Sequence, residues 1–178
     1  LESLLSEFKH QLSSQEFKFL KDSKEHFSIP WFSVIYKMHK NPIETRLIVA
    51  GYNWITKGAS VFLSEKFKAF IPLFDTILQD SLSLIQRLES HCFPKKVILF
   101  TLDVKALYTN IPIQDAIDTL YEFFRIYDSE LAILLKKFLD FVLKNNLMQF
   151  AGKFFHQIFG IAMGTALAPM LANIYMAI

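Results

Sequence analysis

Cysteine is nearly absent from this sequence of 178 residues, in which Cys92 is the only one. A single cysteine excludes an intramolecular disulfide framework and favours a reducing intracellular compartment, nuclear or cytoplasmic. The sequence also lacks a charge excess, because 19 basic and 17 acidic residues leave a net charge of +2. The average composition therefore gives no signal for nucleic-acid binding, and a basic surface requires local clustering of Lys and Arg.

Targeting signals are lacking as well. Leu1 is followed by acidic and polar residues rather than by a basic flank and an apolar run, so no signal peptide is predicted. Because the first residue is not Met, we expect an excised fragment or an incomplete reading frame. The uncharged stretch from Ile158 to Ile178 is long enough to span a bilayer. Pro169, Asn173 and two glycines favour a buried core segment that breaks near Gly164 over a transmembrane helix.

Apolar residues are abundant, at 52% of the sequence with 19 Phe, which excludes disorder and predicts one domain with a sizeable core. Strand and helix patterns alternate along the chain, which predicts an α+β fold with a mixed sheet and packed helices. We expect a helical extension over residues 1–29 and one domain over residues 30–178. The apolar excess further predicts that polypeptide outside this sequence covers part of the surface.

Several local patterns define the expected elements. Trp31 to Met38 and Arg46 to Ala50 predict a hairpin with a basic tip, and Asp75 is a candidate cap for a helix that ends near Glu89. The apolar run from Lys96 to Leu102 predicts a strand that is buried on both faces. Further helices are expected over Thr56 to Phe70, Ile113 to Ile126 and Ser129 to Lys144, a hairpin over Met148 to Gln157, and core positions for Phe123, Phe124, Phe154 and Phe155.

Asp103 follows the apolar run directly. A carboxylate at the end of a buried strand is costly unless a partner compensates its charge. A divalent cation is one such partner; a helix N-terminus that the carboxylate caps and a salt bridge to Lys105 are the others. The residues alone leave these three alternatives open.

Two other stretches are informative. Small residues between Gly160 and Asn173 permit close backbone approach, either to a ligand or to a packed helix. The basic hairpin tip between Lys37 and Arg46 suits phosphate, because Arg donates two hydrogen bonds in a fork and Lys supplies a point charge. A solvated loop is the alternative for the hairpin tip.

In this order, the three stretches resemble successive motifs of reverse transcriptases, and in particular those of the Penelope-like retroelement group, which is related to telomerase. The resemblance runs from about Pro30 to the last residue and implies right-hand polymerase fingers with an incomplete palm. The stretches that carry it are Lys37-Met38-His39-Lys40 with Arg46-Leu47-Ile48-Val49, then Leu102 to Pro112, then Gly160 to Ile174.

The resemblance implies a role for each motif residue. Asp103 is expected to bridge two Mg²⁺ ions in nucleotidyl transfer to a primer 3′-end, aided by the main-chain carbonyl of Val104. Tyr108 is expected beneath the sugar, where its ring would exclude a 2′-hydroxyl. Gly164 would line the pocket for the template and the incoming base. Arg46, with Lys37 or Lys40, would neutralise the triphosphate.

The implied partners are an RNA template, a DNA primer and deoxynucleoside triphosphates.

One departure from the family is Met163, where many reverse transcriptases have Gln, although Met is usual in the Penelope-like group. A larger departure is that the second carboxylate pair of such polymerases, usually an aromatic-x-Asp-Asp turn, does not occur before Ile178. Asp115 and Asp118 are read as charges that suit the first turn of a helix. We therefore expect no polymerisation by these residues alone, and a catalytically inactive retroelement-derived remnant that binds nucleic acid is the alternative.

Overall fold

The computed structural model describes residues 1–23 and 27–178. Residues 24–26, which belong to the expected helical extension, lie outside this description. The described chain is α+β, as predicted, but its strands form two separate two-stranded antiparallel sheets rather than one mixed sheet. The helices are α1 (Glu2–Glu7), α2 (Ser14–Asp22), α3 (Lys57–Lys68), α4 (Ser81–Ser90), α5 (Leu107–Asn110), α6 (Ile113–Arg125), α7 (Ser129–Lys144) and α8 (Ala168–Ala177), and the strands are β1 (Phe32–Lys37), β2 (Glu44–Val49), β3 (Leu147–Phe150) and β4 (Lys153–His156).

The helices share one apolar core. Phe67 of α3, Phe124 of α6 and Phe138 of α7 are fully buried within it. The N-terminal helices contribute to the same core through Leu5 and Leu20. Burial of each such side chain stabilises the fold by roughly 1.5–3 kcal/mol, and this core fixes the position of α3 relative to α6 and α7.

Strands β1 and β2 form a hairpin whose register pairs Phe32 with Val49 at the base and Lys37 with Glu44 near the tip. The second hairpin, β3–β4, turns at Ala151 and Gly152, both of which have positive φ angles, of 49° and 74°. Two such residues in succession match the right-handed twist of the flanking strands. The predicted hairpins are therefore both present.

The prediction of a buried strand over Lys96 to Leu102 is wrong. These residues form no helix or strand in the structure, and the side chains of Ile98, Leu99 and Leu102 are 80–90% exposed. A strand needs a neighbour for its backbone hydrogen bonds. The strands of the described residues pair within the two hairpins, with one isolated bridge between Trp31 and Gln149 of β3, and residues 96–102 pair with none of them.

The predicted start of α4 is also wrong. Asp80, not Asp75, caps this helix, because its side chain accepts a hydrogen bond from the Ser83 N–H at 2.8 Å. Asp75 lies five residues earlier, and its main-chain carbonyl accepts a hydrogen bond from Arg87 instead. The segment between Asp75 and Asp80 stays outside the helix.

The phenylalanine prediction divides into two parts. Phe123 and Phe124 pack in the core as expected. Phe154 and Phe155 on β4 are 60% and 46% exposed, so the expectation that they are core residues is wrong. Successive side chains of a strand point to opposite faces, so both faces of β4 are partly open to solvent at these two residues.

The uncharged C-terminal stretch breaks where predicted. Gly164 has a φ angle of +116°, and the chain is helical only from Ala168 to Ala177 in α8. Within the ranges that the structure describes, each helix is too short or too polar to cross a membrane. Leu171 and Ile174 of α8 are buried in the core instead.

Candidate functional site

The three sequence motifs meet at one cavity of about 950 Å³, here called the central cavity. Its walls come from both strands of the hairpin β1–β2, from the first turn of α3, from α5 and the turn before it, and from the loop before α8 with the start of that helix. The residues that line it include Lys37, Thr45, Arg46, Gly51, Lys57, Ser60, Val104, Tyr108, Thr109, Met163, Gly164 and Thr165.

The loop from Gly160 to Thr165 connects the hairpin β1–β2 to the α5 turn. The Val49 N–H at the end of β2 donates to the Met163 carbonyl at 2.8 Å. The Ile161 N–H donates to the Tyr108 carbonyl at 2.7 Å. Each of these hydrogen bonds contributes roughly 0.5–1.5 kcal/mol, and together they fix the hairpin and the α5 turn to one loop.

Two glycines of this loop are required by close backbone contacts. A Cβ atom added to Gly160 would lie 2.7 Å from the main chain of Thr109, and one added to Gly164 would lie 2.4 Å from the Val49 carbonyl oxygen. Both glycines also have positive φ angles, of 74° and 116°. Only a residue without a side chain fits at either position, so the small residues of this motif serve close packing at the wall of the cavity.

The turn that follows Asp103 has a distinctive backbone. Ala106 adopts the left-handed conformation, with a φ angle of 54°, which is uncommon for a residue other than glycine. Thr109 Oγ1 donates to the Ala106 carbonyl and Asn110 Nδ2 donates to the Lys105 carbonyl, both at 3.0 Å. These bonds hold the turn so that Tyr108, which is half-buried against the core, lines the central cavity.

The wall of the central cavity is cationic. It contains Lys37, Arg46 and Lys57, and within the described ranges it contains no carboxylate. Neither Arg46 nor Lys57 has a side-chain ion pair with another described residue. Unpaired cations around a concave space attract anions, and a guanidinium suits phosphate oxygens in particular.

Lys37 differs from the other two cations because Glu44 pairs with it at 2.8 Å across the hairpin. The hydrogen bond and the charge of Lys37 lower the pKa of Glu44, with smaller contributions from Lys40 and Lys105. Lys105 therefore lies close enough to the hairpin tip to add to its positive field. Lys40 does not line the cavity.

Asp103 lies outside the wall of the central cavity, although Val104 lines it. The carboxylate is exposed and has no hydrogen bond or ion pair to another described residue. The expected burial of this carboxylate is therefore wrong, and an exposed charge needs no compensating partner. Neither the salt bridge to Lys105 nor the capping of α5 is present, because Ala106 is the cap residue of that helix.

The donor set for a metal is incomplete among the described residues. Asp103 and the carbonyl of Val104 supply one carboxylate and one neutral oxygen, whereas Mg²⁺ sites use carboxylates with near-octahedral geometry. No group of three or more His, Cys, Asp or Glu side chains in the described chain is placed to hold a metal ion. Asp115 accepts a hydrogen bond from Tyr175, and Asp118 pairs with Lys136 at 2.8 Å, so both are engaged elsewhere.

Lys57 was not predicted from the sequence. It is the first residue of α3, and it shares the cavity wall with Ser60 and Val61, which lie three and four residues further along the helix. This spacing places the three residues on one face of the helix. The sequence shows only that Lys57 lies at the start of a predicted helix. That position alone does not distinguish a lysine that binds a ligand from a solvated one.

Comparison with known proteins gives no independent assignment: no protein-family model, no curated protein and no solved structure matches this chain. The functional interpretation therefore depends on the motifs and on the geometry of the central cavity.

Proposed function

We propose that the chain contains the fingers and part of the palm of an RNA-directed DNA polymerase of the Penelope-like type, and that the central cavity receives the incoming deoxynucleoside triphosphate. The observation that carries the proposal is the convergence of residues far apart in sequence. Lys37, Arg46, Val104, Tyr108 and Gly164 all line this one cavity. These are residues to which the resemblance gives a role in substrate binding or metal coordination.

Charge and shape both support a nucleotide as the ligand. Arg46 and Lys57 bring unpaired positive charge to a wall that includes the apolar side chains of Leu47, Leu107 and Met163. A nucleotide combines an anionic phosphate chain with a flat base that stacks on apolar surfaces through its ring faces, and small-molecule sites pair a few polar groups with an apolar lining. The volume of about 950 Å³ is at the upper end of the usual range for small-molecule sites.

The proposed enzyme uses two Mg²⁺ ions, which stabilise the entering and leaving oxygens of the transfer. Asp103 and the Val104 carbonyl are the ligands that this chain would contribute. The proposal assigns the remaining carboxylates to polypeptide outside these 178 residues. The described residues act in binding: Arg46, with Lys37, holds the triphosphate, and the Tyr108 ring limits the space beside the sugar.

The test is triphosphate binding by the chain itself. Arg46→Gln is expected to weaken the binding of dTTP by about 10- to 100-fold, because a charge-assisted hydrogen bond contributes roughly 1.5–3 kcal/mol. Calorimetric titration of dTTP into the wild type and the variant measures this difference. Gln retains most of the length of the Arg side chain, so the stability of the hairpin is expected to change little.

Lys153→Gln is the matched control, because Lys153 is an exposed cation at the turn of the other hairpin and does not line the central cavity. Its dTTP affinity is expected to equal that of the wild type. Equal affinity of Arg46→Gln and the wild type for dTTP would contradict the proposal. So would primer extension by the 178-residue chain alone, because catalysis is proposed to need further carboxylates.

A second candidate function is nucleic-acid binding without catalysis, as in a retroelement-derived remnant. The observation that favours it is the position of Asp103, which is exposed and belongs to no group of three or more His, Cys, Asp or Glu side chains that could hold a metal ion among the described residues. The two candidates differ in the ligand of the central cavity. A remnant that binds only nucleic acid is expected to bind an oligonucleotide but to show no saturable binding of dTTP.

Tyr108 provides a test of substrate selection in the longer polymerase. Its ring lines the central cavity and packs on the core from behind. Tyr108→Ala is expected to raise the incorporation of ribonucleotides relative to deoxynucleotides by at least about tenfold, because the ring no longer opposes the 2′-hydroxyl. Tyr108→Phe keeps the ring and is expected to keep the discrimination. An unchanged ratio in Tyr108→Ala, measured with matched GTP and dGTP, would remove Tyr108 from this role.

A further inference from the structure

A second concavity, here called the side cavity, adjoins the central cavity. Its volume is about 310 Å³, and it lies between the end of α2 and the start of α3. Lys57 belongs to the walls of both cavities. A ligand that extends from one cavity into the other therefore passes the ammonium group of Lys57.

Three aromatic side chains line the side cavity. Phe27 and Phe19 line it and are 61% and 46% exposed, and Trp54 forms a more buried part of the wall. Exposure of two large rings at one concavity is costly for a surface that has no ligand. A cation beside exposed aromatic rings is the arrangement with which proteins bind single-stranded nucleic acid.

The Phe27 ring is held in place by its neighbours. It meets the Trp54 ring edge-on, with centroids 6.1 Å apart and an interplanar angle of 81°. Trp54 is itself fixed, because its indole N–H donates to the Asn145 carbonyl at 2.6 Å. The Ser28 N–H donates to the Asn53 carbonyl at 2.8 Å, which attaches the chain beside Phe27 to the same wall. A fixed ring loses little conformational entropy when a base stacks on it.

The end of α2 also has a fixed position at this cavity. A Cβ atom added to Gly58 would lie 2.0 Å from Ser23 Oγ, so the helices approach each other as closely as a glycine permits. Ser23 Oγ in turn donates to the Leu20 carbonyl at 2.8 Å. The walls of the side cavity are therefore set by packing before a ligand binds.

We infer that the side cavity binds a single-stranded nucleic-acid segment, with a base stacked on Phe27 and a backbone phosphate on Lys57. The inference extends the proposed function, on which it rests, by giving the template strand a path that leaves the central cavity past Lys57. Asp22 also lines the side cavity, and its carboxylate repels a phosphate. Asp22→Asn is accordingly expected to strengthen binding by about two- to fivefold.

The test measures the binding of short fluorescein-labelled oligouridylate and oligothymidylate by anisotropy at several salt concentrations. Phe27→Leu, which keeps an apolar side chain but removes the aromatic face, is expected to weaken binding roughly tenfold. Lys57→Gln is expected to weaken binding and to reduce the slope of log affinity against log salt concentration by about 1. Comparison of the affinities for oligouridylate and oligothymidylate shows whether the preferred strand is RNA or DNA.

Phe154→Leu and Lys153→Gln are the matched controls, because Phe154 is 60% exposed and both residues lie on β4, away from the two cavities. The controls are expected to bind like the wild type, and thermal unfolding of all variants verifies that Phe27→Leu is folded. Wild-type affinity in Phe27→Leu or Lys57→Gln, or equal losses in the controls, would overturn the inference.

Titration of dTTP separates this inference from the proposed function. If Arg46→Gln loses dTTP binding while Phe27→Leu binds oligonucleotide like the wild type, the side-cavity inference fails and the proposed function stands. If Lys57→Gln loses dTTP as strongly as Arg46→Gln and loses no oligonucleotide affinity, Lys57 belongs to the triphosphate site and the inference also fails. A wild-type chain that binds neither ligand overturns both.

Discussion

Gly164→Ala is expected to lower the free energy of unfolding by roughly 3–4 kcal/mol, a large loss for a single added methyl group. Two causes act together. The φ angle of +116° lies in a region that only glycine adopts readily. The new Cβ atom would also lie 2.4 Å from the Val49 carbonyl oxygen, so β2 or the loop must move. Movement of either breaks the hydrogen bond from Val49 to Met163.

Gly152→Ala is the matched control for this prediction. Gly152 also has a positive φ angle, of 74°, but a Cβ atom added there would meet nothing within 4 Å. Its expected cost is only that of the left-handed conformation, about 1–2 kcal/mol. Urea unfolding of the three proteins measures both costs, and equal losses in the two variants would show that the contact with Val49 is unimportant. Gly164→Ala is also expected to lose dTTP binding, whereas Gly152→Ala is expected to keep it.

If the proposed function is correct, Asp103→Asn is expected to reduce DNA synthesis by the proposed full-length polymerase at least about 1,000-fold, while template–primer binding stays within about twofold of the wild type. Asn has nearly the same shape as Asp but lacks the negative charge that a bridging metal ligand supplies. The substitution is expected to leave the fold intact, because Asp103 is exposed and has no partner among the described residues. A loss of activity would therefore not reflect unfolding.

Asp75→Asn is a suitable control, because Asp75 is also exposed and the side chain of Arg87 contacts its main-chain carbonyl rather than its carboxylate. Primer extension and gel-shift assays on both variants separate catalysis from binding. Near-normal synthesis by Asp103→Asn would remove this residue from the proposed metal site. A parallel loss of template–primer binding would assign it a binding role instead.

Sequence patterns predicted well the elements that are stabilised by residues close to one another in the sequence. The predicted helix from Ser129 to Lys144 is present over the same residues, because its periodic apolar face coincides with a cap by Asp128, whose side chain accepts from the Glu130 and Leu131 N–H groups at 2.9 and 3.0 Å. The turn at Ala151 and Gly152 likewise depends on neighbouring residues. Helix capping and turn conformation are determined by residues that are only a few positions apart in the sequence.

The strand over Lys96 to Leu102 failed because its formation depends on distant residues. An apolar run of branched residues favours an extended backbone, but hydrogen bonds from neighbouring strands are needed to make it a strand. The same reason applies to the burial of Asp103, which was inferred from that strand. Burial depends on how the whole molecule packs. Because the run is apolar throughout, its residue pattern does not show which other segment would cover it.

The sequence predicted those residues of the candidate site that belong to the three motifs. The sequence singled out Arg46, Tyr108 and Gly164, and the structure brings these three residues to one cavity; their chemical roles stay predictions. Lys57 and the aromatic side cavity were not predicted. Phe27 and Trp54 come together through a contact between residues 27 positions apart, for which the linear sequence contains no periodic signal.

The exposed run before Asp103 has a consequence for work with the isolated protein. From Val97 to Phe100 it presents four consecutive large apolar side chains, each between 44% and 90% exposed. Short apolar segments with high strand propensity and no charge add readily to identical segments of other chains, in the manner of cross-β assembly. At high concentration the chain should thus form intermolecular sheets through this run, so solubility, rather than fold stability, sets the upper limit for its handling in solution.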